Sequence, residues 1–345
     1  MTTRTVIIGD HFMRPDYFEA ELKRMDGLAF RSFTLDWPDK PFVFARDHGE
    51  LAGLREFLGE PDAIVDMIGD AEVLVTHLAP VSKSILERCP SLKLVAVSRG
   101  GPVNIDMQAC REHGVTVVNA PGRNASAVAE FTIGAILMET RLMRLGHESM
   151  RKGEWRGDLY RADITGPELS ELTVGIIGYG HIGTRVVKLL KPFGCRILVN
   201  DPHVQLDETD RADGVEQTDL DTLLRDAHVV SLHARVTEET KGFLARPQFE
   251  RMRKGAWFIN TARGPMVNYP DLHEALKCGH IRGAMLETFW QEPPPADADI
   301  LKLDNVTLTP HIAGASTTTI STAATMVAEE IRRWRAGEEP LNACC

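Results

Sequence analysis

Basic charge is scarce in this chain: 39 Lys and Arg stand against 49 Asp and Glu in 345 residues, a net charge of -10. No block of like charges occurs. A non-specific nucleic-acid binder needs a basic face, so that partner is excluded, whereas a small anion held by a few placed cations is not. Long apolar runs are missing too. No stretch of roughly 18 residues suits a membrane span, and Val6-Ile7-Ile8 is too short for a secretory signal. Cysteine is sparse and, apart from the final pair, scattered: Cys89, Cys110, Cys195, Cys278, Cys344 and Cys345. No two C-x-x-C motifs pair up, so no metal site is expected and the thiols read as reduced, in the cytoplasm. Gly337-Glu-Glu-Pro-Leu lacks the basic residues of a lipidated end, so the terminal Cys pair is expected in a loose tail. Internal repeats and low-complexity segments are absent. What remains, 43% hydrophobic and 26% charged, is an ordinary globular composition long enough for two domains.

Short β-rich runs alternate with helical stretches, the pattern of α/β folds with parallel sheets. Thr5–Ile8, Val73–Thr76, Leu94–Val97 and Val115–Val118 read as strands, Ser82–Arg88 and Ile105–His113 as helices. After the turn-rich Asn119-Ala-Pro-Gly-Arg-Asn124, one long helix is expected from Asn124 to about Met150. Its first part, Ala127–Met138, is apolar on nearly every face, as in a helix buried all round, in a core or against another subunit. Six further strands are expected at Thr173–Ile177, Arg196–Asn200, His228–Leu232, Ala256–Asn260, Gly283–Leu286 and Val306–Leu308, a count that suits a doubly wound dinucleotide-binding domain. A last amphipathic helix, Ser316 to about Arg335, is expected to pack back on the first domain. The division predicted is 1–120 with 313–345 as a discontinuous, flavodoxin-like substrate domain and 121–312 as a Rossmann domain, the active site lying in the cleft between them.

Val174-Gly-Ile-Ile-Gly178-Tyr-Gly180-His-Ile-Gly183 places G-x-G-x-x-G directly after a strand and at the start of a helix. The first Gly allows the tight turn, the second lets backbone approach a pyrophosphate, the third lets helix and strand pack, and the helix N-terminus favours anionic phosphate. Tyr179, His181 and Ile182 lie in the same loop. Asp201 follows the next strand, where an acid accepts from both ribose hydroxyls of NAD and repels the 2′-phosphate of NADP. NAD is therefore expected in preference to NADP.

Pro121-Gly-Arg-Asn-Ala-Ser-Ala-Val-Ala-Glu130, Leu232-His-Ala-Arg-Val-Thr-Glu-Glu-Thr240, Asn260-Thr-Ala-Arg-Gly264, Gln291-Glu-Pro293 and Leu308-Thr-Pro-His-Ile-Ala-Gly314 follow in order. In these motifs the chain resembles the D-isomer-specific 2-hydroxyacid dehydrogenases, the phosphoglycerate dehydrogenase-like branch in particular, over nearly its whole length. Chemistry points the same way. Oxidising a 2-hydroxy acid needs a base with pKa near the operating pH, for which His311 is the candidate. A carboxylate, Glu292, would orient that histidine and stabilise its charged form. Arg263 offers a bidentate fork for the substrate carboxylate. The resemblance implies these three roles, and cofactor contacts at His233, Ala234, Arg235, Thr240, Thr261, Ala262, Arg263, Glu287, His311, Ala313 and Gly314. Gly100 and Gly101, in Ser98-Arg-Gly-Gly-Pro, resemble the family's substrate loop, and His77 and Arg99 are candidates for substrate specificity.

Four positions depart from the family pattern: Arg99 replaces a small residue, Val103 an Asp, Arg235 the Pro of a His-x-Pro motif, and Glu287 an Asp near the nicotinamide amide. Arg99 would favour a phosphorylated or polyhydroxylated acid. The expected partner is a small 2-hydroxy or 2-keto acid such as a sugar acid, glycerate, hydroxypyruvate or 3-phosphoglycerate. The apolar helix and the segment Lys152–Pro167 suggest a homodimer. Two alternatives stand beside this reading: a formate- or phosphite-type dehydrogenase on the same fold, and a corepressor-like protein that binds NAD for regulation.

Overall fold

The computed structural model describes residues 2–38 and 48–344. The chain divides into two compact units, Met1–Asn124 with Ala315–Cys345, and Ala125–Gly314. In the first unit run β1 (Thr3–Asp10), α1 (Pro15–Leu22), β2 (Leu28–Leu35), α2 (Pro61–Ile68), β3 (Val73–Thr76), α3 (Lys83–Arg88), β4 (Leu94–Val97), α4 (Met107–Glu112) and β5 (Thr116–Val118). The strands pair in the order β2-β1-β3-β4-β5, every ladder parallel. Successive strand residues face opposite sides: Val6, Ile8, Leu74, Val95 and Val117 enter one core, Ile7, Val73, Val75, Ala96 and Val118 the other. Burial on both faces explains why these strands read as unbroken apolar runs. The order 2-1-3-4-5 is the flavodoxin-like arrangement, in which ligands meet the carboxyl ends of the strands where the order reverses, here between β1 and β3. The edge strand β2 does not stand out in the sequence because Arg31 and Ser32 interrupt it and one side stays wet.

The second unit opens with α5 (Ala125–Thr140) and α6 (Met143–Arg151). The single helix expected to about Met150 is therefore broken. Leu142 takes a left-handed conformation, φ 56°, and a Cβ on Gly166 would lie 1.6 Å from the Thr140 carbonyl oxygen, so a returning segment covers the helix end. Within this single chain Glu130, Gly134 and Met138 are exposed on α5 and its other residues are buried or half-buried, apart from Ser126. Next come β6 (Thr173–Ile177), α7 (Gly183–Leu190), β7 (Arg196–Asn200), α8 (Glu208–Ala212), β8 (Glu216–Gln217), α9 (Leu220–Asp226), β9 (Val229–Leu232), α10 (Arg246–Arg251), β10 (Ala256–Asn260), α11 (Tyr269–Lys277), β11 (Ile281–Leu286) and β12 (Val306–Leu308). Their order, β12-β11-β10-β9-β6-β7-β8, is all parallel and reverses between β6 and β9, the doubly wound Rossmann arrangement. It holds seven strands where six were expected, because β8 has only two residues.

The chain then re-enters the first unit with α12 (Thr317–Ala336), capped by Ser316 accepting from Thr319 N and ended by left-handed Gly337. The tail beyond is not loose. Ala343 bridges Val118 antiparallel, Cys344 N donates to Val117 O at 2.7 Å, and buried Glu330 accepts from Leu341 N and Asn342 Nδ2. A free β edge and a buried acid needing donors hold it there. Cys345 lies outside the described residues. Among the described residues no helix is long and apolar enough to cross a membrane, and no group of three His, Cys, Asp or Glu could hold a metal.

Candidate active site

The Gly-rich loop sits at the carboxyl end of β6, at the point where the strand order reverses. Gly178 has φ 98°, and a Cβ there would lie 2.6 Å from Ala234 N, in the loop after β9. A Cβ on Gly183 would lie 2.0 Å from Gly178 O. The protein's own backbone thus demands both glycines. Gly180 differs: no atom lies within 4 Å of a Cβ built on it. That space is open, and a pyrophosphate above the N-terminus of α7 would fit it. Gly180→Ala is accordingly expected to leave the melting temperature unchanged and to weaken NADH binding on the order of tenfold or more, as one added carbon in a fitted pocket does; fluorescence titration reads it, and unchanged affinity would refute the assignment.

Asp201 is held rigidly. Its Oδ2 accepts from Tyr179 N at 2.7 Å, and its Oδ1 from His203 N and Val204 N at 2.8 and 3.0 Å. A carboxylate has about four acceptor sites, so it keeps room for one further donor. The structure turns the Tyr179 ring into the core, with its hydroxyl donating to Asp210, leaving the backbone to face outward. His181 is exposed and lends its carbonyl to Arg185, while Ile182 packs against the core.

His233, after β9, is buried, with Nε2 bonded to Ser231 Oγ at 2.9 Å and Nδ1 without a partner among the described residues. Burial drives its pKa down to about 3, so it is neutral at any working pH. Ala234 follows it against Gly178. Arg235 is exposed, its carbonyl accepting from Thr240 Oγ1 at 2.7 Å, so Thr240 closes its own turn. Buried Thr261 shares a hydroxyl bond with Thr132, 2.8 Å, and Ala262 is buried beside it.

The catalytic candidates stand on loops at the carboxyl ends of β10, β11 and β12. Arg263, beyond β10, is exposed, with one guanidinium nitrogen on Ala262 O at 2.7 Å. Next to it, a Cβ on Gly264 would lie 1.9 Å from the carbonyl carbon and oxygen of Phe289, so backbones of the loops after β10 and β11 touch. Phe289 N in turn donates to Glu292 Oε1 at 2.9 Å. The other oxygen, Oε2, meets His311 Nδ1 at 2.6 Å. One unbroken chain of contacts therefore runs from the arginine loop to the histidine. A carboxylate at Nδ1 fixes the proton there and leaves Nε2 as the acceptor, on a side chain 41% exposed. His311 itself is left-handed, φ 54°, a strained state that persists only where neighbours impose it.

Buried Glu287 is the neighbour that does so. It accepts from Thr309 Oγ1 and Ala313 N, and its carbonyl accepts from His311 N at 3.1 Å. Burial raises its pKa despite those bonds. Both carboxyl oxygens thus grip the loop carrying His311, ahead of Gly314.

In the first unit, His77 follows β3 and its Nδ1 meets buried Asp10, at the end of β1, at 2.6 Å. Burial lowers the pKa of His77. For Asp10 burial acts upward, but His77 and the amides of Met13 and Phe12 outweigh it and hold the acid low. The pair is thus a neutral imidazole donating to a carboxylate. Arg99 is ion-paired with Glu56, beside Gly100 and Gly101. Asp10, Arg123 and Gly264 were not singled out in the sequence. Arg123 lies inside a quoted motif, but nothing local marks it as more than a turn residue.

The model of the D-isomer-specific 2-hydroxyacid dehydrogenase NAD-binding domain matches residues 133–313. The chain belongs to this family. A glyoxylate reductase of Korarchaeum cryptofilum is 36% identical over 311 residues, 90% of this chain and 93% of that one. A D-3-phosphoglycerate dehydrogenase of Methanocaldococcus jannaschii is 39% identical over 284 residues, 81% of this chain but 53% of the longer relative. The structure of D-2-hydroxyisocaproate dehydrogenase shares the fold with a TM-score of 0.83 at 23% identity, covering 99% of both chains. For a member of this dehydrogenase family, an NAD-binding second unit and an oxidoreductase role are the common ground.

Proposed function

We propose that the protein is an NAD-dependent oxidoreductase that moves a hydride between the nicotinamide and C2 of a small 2-hydroxy or 2-keto acid. The observation that carries the reading is the His311–Glu292 pair, 2.6 Å apart, tied through Phe289 and Gly264 to Arg263. NAD, when bound, supplies the ring that accepts or donates the hydride. His311 Nε2 takes the C2 hydroxyl proton in oxidation and returns it in reduction. Glu292 holds Nδ1–H, fixing the tautomer and stabilising the imidazolium. Arg263 binds the carboxylate and polarises the carbonyl. Gly100, Gly101, His77 and Arg99 are the proposed substrate contacts of the first unit. Gly178 to Gly183, His233 to Arg235, Thr240, Thr261, Ala262, Ala313 and Gly314 are the proposed cofactor surround, with Glu287 shaping it from beneath.

Asp201 favours NAD over NADP by charge. Exposed Trp155 (85%) and Tyr160 (94%) on 152–167 and Met138 (36%) on α5 support a homodimer built on these two segments, which a monomeric sedimentation coefficient would exclude. Free thiols at Cys89, Cys195 and Cys278 fit a reducing cytoplasm. The decisive experiment follows NADH and NADPH absorbance against a panel of 2-keto acids. Turnover with NADH well above NADPH is expected. Silence across the panel with NADH tightly bound would instead favour a regulatory role.

A further inference from the structure

Adjacent parallel strands of the first unit deliver four charged or titratable side chains from their carboxyl ends. Asp10 ends β1, His77 follows β3, Arg99 lies just beyond β4, and Arg123 lies in the loop after β5. This is the edge where doubly wound sheets take ligands, and Asp10 and His77 flank the very point where the strand order reverses. The loops are joined to one another: Ala120 N donates to Arg99 O at 3.0 Å, and Asn119 Nδ2 to Gly100 O at 2.9 Å.

Three of the four side chains are satisfied. His77 and Asp10 pair, and Asp10 Oδ1 also accepts from Phe12 N and Met13 N at 2.8 Å. Arg99 is paired with Glu56 and donates to its carbonyl at 3.2 Å. Arg123 makes no hydrogen bond or ion pair with any described residue, and its Nε and Nη1 are buried without an acceptor. Burial, then the nearby charge of Arg99, bring its pKa down to about 10, Asp10 opposing. It is therefore still a cation at neutral pH. A half-buried guanidinium with two nitrogens out of water and no acceptor among the described residues is unfavourable, and its best complement is a carboxylate or phosphate.

We infer that Arg123, flanked by Arg99, seats a second anionic group of the substrate, a carboxylate or phosphate at the end remote from the reacting 2-keto acid. The inference rests on the dehydrogenase reading, in which Gly100 and Gly101 serve the first carboxylate. A substrate with a neutral tail leaves Arg123 uncompensated, whereas a dianion satisfies it. The site thus selects for the far end of the molecule by charge, and the spare donors of Arg123 are what the tail engages.

Kinetics and melting test this together. Oxaloacetate carries a distal carboxylate, 3-phosphohydroxypyruvate a distal phosphate, and glyoxylate neither. In Arg123→Gln the ratio of kcat/KM for the better dianion to that for glyoxylate is expected to fall about 30- to 100-fold, mostly through KM, the range for a lost charge-assisted bond. Arg123→Lys should recover part of it. Which dianion loses more tells carboxylate from phosphate. An equal loss on glyoxylate would place Arg123 at the first carboxylate and overturn the inference, as would no loss on either dianion.

Differential scanning calorimetry of the full chain without substrate gives an independent reading. Removing an uncompensated buried charge should leave the Tm of Arg123→Gln at or above that of the parent, while inorganic phosphate should raise the Tm of the parent only. A lower Tm, a variant that fails to fold, or an equal response to phosphate would mean a merely structural arginine. If no 2-keto acid is reduced by the parent protein, the dehydrogenase reading fails, and the melting arm still decides whether Arg123 holds an anion.

Discussion

His311→Asn is expected to lower kcat for 2-keto acid reduction by about 10³-fold, within the range for loss of a general acid–base. Asparagine is the informative replacement because it tolerates the left-handed backbone that position 311 adopts, φ 54°. The loop gripped by Glu287 should therefore keep its shape while Nε2 disappears. His233 cannot take over the proton, since burial holds its pKa at about 3, and a histidine with so low a pKa gains no proton until far below any assay pH. Stopped-flow measurement of a single NADH turnover reads the chemical step directly. Retention of a tenth or more of the activity would remove His311 from the chemistry.

The second large effect is expected from a residue that touches no substrate. In Gly264→Ala the new methyl carbon would lie 1.9 Å from the Phe289 carbonyl carbon and oxygen and 2.5 Å from Trp290 N. Backbone has to move, because no flexible side chain is there to yield. Overpacking of this kind costs about 3 kcal/mol, the upper part of the usual range, and denaturant melts should show it as a lower midpoint. The displaced loop begins at Phe289, whose amide holds Glu292. The shift should reach both ends of the contact chain, Arg263 and the Glu292–His311 pair, and misplacement of about 1 Å lowers kcat/KM on the order of 10²-fold. A stable, fully active Gly264→Ala would show that the two loops are not mechanically joined.

Wherever the physics is local, the amino-acid order alone determined the outcome. Strands buried on both faces must be apolar without alternation, so β3, β4, β6, β7, β10 and β12 read directly from the chain. The Gly178–Gly183 turn is legible because only glycine meets its backbone requirements, and those requirements lie within six residues. The order of the motifs carrying Arg263, Glu292 and His311 likewise pointed to the dehydrogenase family to which the chain belongs. Tertiary structure alone decided what depended on distant partners. Between α5 and α6 Leu142 turns left-handed where Gly166 packs on Thr140, and the tail is held by a β5 edge and by Glu330, neither of which composition announces. Glu287, expected near the nicotinamide, directs both oxygens at Thr309 and Ala313. Asp10 and His77 are 67 residues apart in sequence, yet they meet at 2.6 Å, and Arg123 Nε and Nη1 are left without an acceptor among the described residues. A charge's importance is set by what stands beside it in space, and sequence spacing carries no record of that when the neighbours arrive from separate strands.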